Sequence, residues 1–281
     1  MAIGGSSLAK SVAQSSLRTT SFLFAWQTTE RILAAAGAYL AATRGSGWSP
    51  TVEQEARCAA RCLNPNQQEF IVFDAGANVG HWLQEFRKLV SVKTRMYAFE
   101  PQPTAAAKIR QLNLPDCEVL EVALGEQPGK MTFYTSHDTD TMGSLYERAD
   151  TYAEGKQYHE TEVIVLRLDD FVKQRGIDRI DFMKMDLEGG EFGALNGATE
   201  CMRTGVLHAF SFEFGISNVN SRVFFRDIYD LVAGHRYDIF RVTPAGRFIQ
   251  LRSYTEDDES FARTSTFVAR RTGSAGTGSS H

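Results

Sequence analysis

VFDAGANVGHW, residues Val72–Trp82, passes from an apolar run through two glycines toward a second patterned segment. Phe70–Phe73 suits a strand buried on both faces of a parallel sheet. Trp82–Val90 carries a helical pattern. The stretch therefore reads as strand, tight turn and helix. Gly76 and Gly80 permit backbone angles and close approaches denied to larger residues, and Asn78 between them can bond back to the turn. Two readings fit. One is a purely structural turn. The other is the floor of a cofactor pocket, where N–H groups at a helix start face a carboxylate or phosphate. The dinucleotide fingerprint GxGxxG is not met, because Asn78 stands in place of the second glycine.

The same alternation continues along the chain. Arg95–Phe99 reads as a strand ending at Glu100-Pro101, and Thr104–Leu112 as a helix. Cys117–Leu124, Lys130–Thr135 and Glu162–Leu168 are strand-like, and Asp169–Arg175 is a helical link. Ile180–Met185 is a strand that runs into Asp186-Leu187-Glu188-Gly189-Gly190-Glu191, with Phe192–Met202 helical behind it. Val206–Phe212 is a strand ending at Glu213, and Phe225–Val232 is a helix. Tyr237–Val242, Arg247–Leu251 and Thr266–Ala269 supply the last strands. The pattern implies an α/β fold: an open, mostly parallel sheet with helices on both faces. Functional groups of such sheets gather beyond the C-terminal strand ends. Asp74, Glu100, Asp186 and Glu213 all fall there. A carboxylate at Glu100 can accept hydrogen bonds from both hydroxyls of an adenosyl ribose; the plain alternative is a solvent-facing cap before Pro101. The polar and aromatic segment Ser136–Tyr158 reads as a substrate-facing loop.

A chain of 281 residues with 43% apolar and 23% charged residues can build one large soluble domain. Its formal net charge of -4 implies no general nucleic-acid surface. The four cysteines show neither a disulfide framework nor a zinc pattern, so free thiols in a reducing, cytoplasmic setting are expected. No run of eighteen apolar residues suggests a transmembrane helix. Residues 1–29 carry Lys10 and Arg18 but no acid, which fits a flexible start or an organelle-targeting segment. Thr20–Thr43 and Glu53–Leu63 read as helices. The expected organisation is a helical extension over residues 1–64, a catalytic domain over 65–271 and a flexible tail over 272–281. The extension is a candidate for packing on the domain or on a second copy of the chain.

The segments VFDAGANVGHW, YAFEPQP, VALGEQPGKMTFY, MGSL, VLRLDDF, IDRIDFMKMDLEGGEFGALNGA and FSFEFG together resemble the class I methyltransferases, and more narrowly the FkbM family. The resemblance spans about residues 70–270. It implies a Rossmann-like, mostly parallel seven-stranded sheet with one or more extra strands. It also implies S-adenosylmethionine as cofactor and O-methylation of a hydroxyl on a small natural product, sugar or glycan. Carried onto this chain, Asp74, Gly76, Asn78 and Gly80 fall in the cofactor loop and Glu100 at the ribose. Ala123 and Leu124 fall beside the adenine, and Asp186, Glu188 and Glu191 in the acidic motif of the active face. Glu213 is followed here by Phe214-Gly215, where many relatives have a nearby histidine.

A protonated hydroxyl is a poor nucleophile, so the transfer calls for a base. Asp186 is the first candidate. Two other roles are open to it: stabilising a cationic cofactor, or holding a divalent ion with Glu213. Lys184 lies two residues before Asp186 and faces the same side of a strand, where it can orient that acid or simply pair with it. Of Glu188 and Glu191, one caps the following helix and the other meets substrate. His81 and His137 are placed near the site, while His208 reads as a packed strand residue. Trp82, Tyr97 and Tyr134 are candidates for shaping the pocket, with core packing the alternative. Two other functions remain on the sequence alone, a noncatalytic adenosyl-binding protein and an NAD-dependent oxidoreductase.

Overall fold

The computed structural model describes residues 26–47, 49–136, 141–147 and 159–273. The chain divides at Thr43/Arg44 into two units. Helix α1, Trp26–Arg44, is the described part of the first and ends at the boundary. None of the described helices is long and apolar enough to cross a membrane.

In the second unit, α2 (Val52–Cys62) starts from a reciprocal cap. Thr51 Oγ1 accepts from Gln54 N, and the Gln54 side chain accepts from Thr51 N. The strand, turn and helix of the VFDAGANVGHW stretch follow as β1 (Glu69–Ala75) and α3 (His81–Leu89). Next come β2 (Lys93–Phe99), α4 (Pro103–Gln111) and β3 (Cys117–Leu120). After an inserted region, α5 (Leu168–Arg175) leads to β7 (Phe182–Met185). The helix expected over Phe192–Met202 forms as two short pieces, α6 (Glu191–Asn196) and α7 (Thr199–Thr204), separated at Gly197. Strand β8 (Ala209–Phe214), α8 (Ser217–Ser221), α9 (Phe225–Gly234), β9 (Tyr237–Val242), β10 (Phe248–Leu251) and β11 (Ser265–Arg271) complete the unit.

The main sheet has the order β10-β9-β11-β8-β7-β1-β2-β3. Strands β3, β2, β1, β7 and β8 run parallel, and β11 is antiparallel to both β8 and β9. This is the expected Rossmann-like class I methyltransferase sheet of seven strands, with β10 as an extra edge strand. The inserted region adds a second sheet, in which β4 (Ala123–Leu124), β6 (His159–Leu166) and β5 (Gly129–Thr135) lie in that order. The single strand expected over Cys117–Leu124 is thus two. Pairing of β3 stops at Leu120, opposite Phe99, where β2 ends. Beyond that point the main sheet offers no partner, and Ala123–Leu124 pairs with β6 instead.

Alternation along the central strands sends successive side chains to opposite cores. Phe70, Val72, Met96 and Phe182 pack with Ala56 and Ala59 of α2 and with Trp82, Leu83 and Phe86 of α3. Phe73, Tyr97, Phe99, Met183 and Phe210 pack with Phe171 of α5 and Phe225 of α9. Tyr97 is therefore core, 5.0 Å from the Phe73 ring and 5.6 Å from Phe171. The alternating Phe210, Phe212 and Phe214 are core as well. Helix α2, assigned from the sequence to an extension ending at residue 64, packs in the same core as β1. The reason is its buried Ala56 and Ala59, which let the helix lie close against the sheet.

Gly76 is the residue on which the turn after β1 depends. Its φ is 78°, and a Cβ there would lie 1.9 Å from the Asp186 carbonyl oxygen. Gly76→Ala should therefore lower stability by roughly 1–3 kcal/mol, through overpacking on top of the strained φ. Urea denaturation at neutral pH checks this, and an unchanged midpoint would contradict the close approach.

Candidate functional site

A cleft opens at the C-terminal ends of β1, β2 and β7, where the topology gathers the acids. On the β2 side it is lined by Asn78, Phe99, Glu100 and Gln102, with Ala123 and Leu124 from the start of the second sheet, and Gly76 lies between that side and Asp186. The other side is lined by Lys184, Asp186, Leu187 and Glu188, with Val52 and Glu55 from α2. Thr141, Gly143 and Leu145 of the loop after β5 form a further wall. That wall is pinned by Ser144, whose Oγ donates to the Glu188 carbonyl at 2.8 Å. The remainder of the expected Ser136–Tyr158 loop, including His137, falls largely outside the described residues.

Glu100 is buried rather than solvent-facing. Its Oε2 accepts from Asn78 N at 2.7 Å and its Oε1 from Gln102 N at 2.9 Å. The Gln102 side chain hydrogen-bonds to the same carboxylate, and of its roughly four lone-pair positions about one is left over. Burial pushes its pKa up to about 7, against the opposing pull of those N–H donors. The turn itself departs from expectation. Gly76 N and Ala77 N both donate to the Phe99 carbonyl, and Gly80 N donates to the Ala77 carbonyl. These amides hold the turn to the end of β2 and are not directed at a ligand. The helix start contributes differently, since Gly80 caps α3 without a side-chain bond and leaves the first-turn N–H groups without intrahelical acceptors.

The parallel register sets Asp74 opposite Lys184. Lys184 Nζ lies 3.5 Å from Asp74 Oδ1 and 3.4 Å from Asp186 Oδ2. Burial alone would lower the Lys184 pKa, but the charges of Asp74, Asp186, Glu55 and Glu213 outweigh it and raise it. Burial raises the Asp74 pKa against the pull of Lys184. Lys184 and Asp186 thus share a side of the strand end, as their spacing predicts.

Glu191 is fully buried and braces the turn ahead of it. Its Oε1 accepts from Leu187 N and its Oε2 from Gly189 N. It ties the preceding turn rather than capping the helix, whose N-cap Gly190 has no side-chain bond, and Glu188 is the member that lines the cleft. Burial pushes the Glu191 pKa up to about 7.

Three sequence-derived site residues stand off the cleft wall. Asp74 lies beneath it and reaches it through Lys184. Gly80 packs on Leu112 and Ile109 of the neighbouring α4 segment. Glu213 Oε1 accepts from Ser49 Oγ at 3.3 Å and Thr266 Oγ1 at 3.4 Å. Burial first, then the charges of Asp186, Glu55, Glu188 and Glu191, raise the Glu213 pKa well above the carboxylate range. The proposed metal pair Asp186 and Glu213 therefore has separate partners. No group of three or more His, Cys, Asp or Glu side chains among the described residues is arranged to hold a metal ion. His81 lines the cleft, and Trp82 both lines it and stacks on Phe86 at 5.0 Å. His208 precedes β8 and lies 4.0 Å from Asp181, away from the cleft. Sequence reading missed Glu55 and Ser144. An acid on the apolar stripe of α2 was the available signal for Glu55.

A family model described as Methyltransferase FkbM domain matches residues 74–238, more than half of the chain. The 2-O-methyltransferase NoeI of Sinorhizobium fredii is 28% identical over 143 residues, covering 47% of this chain and 58% of its own. The 31-O-demethyl-FK506 methyltransferase FkbM of Streptomyces tacrolimicus is 28% identical over 164 residues, covering 46% and 60%. The chain thus spans about three fifths of the length of these curated relatives. Among solved structures, a putative rRNA-methylase from Clostridium thermocellum aligns with a TM-score of 0.42 at 10% identity, over 79% of this chain and 95% of that one.

Lys184→Met would strip the buried Asp74 of its counter-charge. The expected loss at pH 8 is roughly 3–5 kcal/mol. In the variant, folded Asp74 binds its proton more tightly than the unfolded chain does. Stability therefore falls as pH rises above the unfolded carboxylate range, and the loss is smallest near pH 5. Urea denaturation at the two pH values checks the size and sign, and a further Asp74→Asn change should restore part of the loss.

Proposed function

The chain belongs to the FkbM methyltransferase family, and on that footing we propose that it transfers a methyl group from S-adenosylmethionine to a hydroxyl of a small natural product, sugar or glycan. The observation that carries this reading is the buried Glu100. It is held by two backbone N–H groups and the Gln102 side chain at the end of β2, and it lines the cleft together with Phe99, Ala123 and Leu124.

The cleft fits the cofactor at both ends. Glu100 would accept the ribose hydroxyls, and Ala123 and Leu124 would flank the adenine. Among the described lining residues at the far end, Glu55, Asp186 and Glu188 outnumber Lys184, which favours a cationic group. Bound there, S-adenosylmethionine supplies an electrophilic methyl on a sulfonium. The protein's part is to hold the acceptor oxygen in line with that methyl and to take the hydroxyl proton with a carboxylate. Lys184 fixes the position of Asp186 through their ion pair. The relatives' printed activities, 2-O- and 31-O-methylation, support oxygen as the acceptor atom. The four cysteines are unpaired, which suits a reducing cytoplasmic setting.

Calorimetric titration tests the reading. S-adenosylmethionine and S-adenosylhomocysteine should bind saturably and NAD should not. Glu100→Ala should weaken both sulfur ligands by about 1–3 kcal/mol. Selective binding of NAD would overturn the proposal, and undiminished affinity in a folded Glu100→Ala protein would remove the ribose assignment.

A further inference from the structure

Three carboxyls at or beside the cleft, Glu55, Glu100 and Glu191, are pushed up to about 7, in each case chiefly by burial. Two of them are committed to structure. Glu100 holds Asn78 N and Gln102 N, and Glu191 holds Leu187 N and Gly189 N. The Glu55 carboxylate makes no hydrogen bond or ion pair among the described residues. A partly buried, unpartnered carboxylate is costly, and here it lines the cleft beside Lys184 and Asp186.

Its placement is built into the fold. Val72 and Phe182 share the α2 core, and alternation puts Asp74 and Lys184 on the same face of the sheet. Helix α2 covers that face, and its first turn carries Glu55. The segment before the helix is tied to the sheet by Gly47 N donating to Ser265 Oγ and Ser49 Oγ donating to Glu213. Glu55, the rest of α2 and the Gly47–Ser49 segment lie outside residues 74–238, the part matched to the family, while Asp74, Lys184 and Glu213 lie inside it.

We propose that Glu55 receives the acceptor hydroxyl's proton, the role the sequence suggests for Asp186. The inference rests on the methyl-transfer reading above. Asp186 already faces the Lys184 ammonium, whereas Glu55 has an open lone pair and no competing donor. As the acceptor oxygen forms its bond to the methyl carbon, its proton passes to Glu55. The carbon–sulfur bond breaks with its electron pair staying on sulfur, which leaves S-adenosylhomocysteine and a methyl ether. Glu55 then returns its proton to water. The charged groups felt at Glu55 are Lys184 and Asp186 of β7 and the turn after it, Asp74 of β1, and Glu213 of β8. His81, Glu100 and Glu188 are the other titratable groups among the described lining residues of the cleft.

A proton acceptor for the reaction stands next to the sulfonium, which favours its ionised form. Only S-adenosylmethionine carries that charge, while Glu100 meets the ribose of both ligands. The ratio of the two affinities therefore isolates the group at the methyl end. The test is calorimetric titration of the full-length protein and of Glu55→Gln with each ligand at pH 6 and pH 8. In the unaltered protein the preference for S-adenosylmethionine should rise about tenfold between these values, as one group titrating near 7 becomes ionised. In Glu55→Gln the ratio should stay flat and S-adenosylhomocysteine should bind as before. A flat ratio in the unaltered protein, or a pH dependence that survives in Glu55→Gln, overturns the assignment. Failure of both ligands to bind either protein would instead remove the cofactor reading itself.

Discussion

The Lys184 ammonium lies between two carboxylates, 3.5 Å from Asp74 and 3.4 Å from Asp186, with its side chain largely out of solvent. The rest of the site is arranged around this ion. A buried lysine without acids would be expelled or neutralised, so β1 and β7 must lie in the register that sets Asp74 beside it. A slip of one residue would turn Lys184 into the apolar core of Phe73 and Phe171. The ion also explains the pressure on the turn. With β7 held this close, the Asp186 carbonyl comes so near residue 76 that only glycine fits.

Much of this was legible in the sequence because it follows from strand periodicity. Asp74, Glu100 and Asp186 sit where apolar runs stop, and runs stop where strands leave the core. The two-residue spacing of Lys184 and Asp186 put them on one side for the same reason. The helix cap expected of Glu188 or Glu191 does not form: Glu191 reaches back to Leu187 N and Gly189 N of the turn instead.

What escaped is set by tertiary partners. Nothing local marks Glu121-Val122 as a break, because the cause is that β2 ends at Phe99 and offers no further pairing. The amides of Gly76 and Ala77 looked available for a ligand, yet the Phe99 carbonyl lies within their reach and takes both. Asp169 reads as a first-turn helix acid, but its carboxylate accepts from Glu200 N and Cys201 N and so caps a helix thirty residues on. Glu55 was hidden for a further reason. The apolar stripe of its helix was legible, but not that the stripe faces the site as well as the core.

The cap of α2 works as an index mark. A helix advances about 100° per residue, so the residue that starts it decides where every later side chain points. Thr51 and Gln54 lock that starting point by two reciprocal bonds. Were the start to move by one position, Glu55 would swing toward solvent or the interior while Ala56 and Ala59 lost their seats. The segment ahead of Thr51, tied to the sheet at Gly47 and Ser49, shares in fixing that starting point. A short polar turn on the chain's periphery thereby sets the angular setting of a side chain at the cleft.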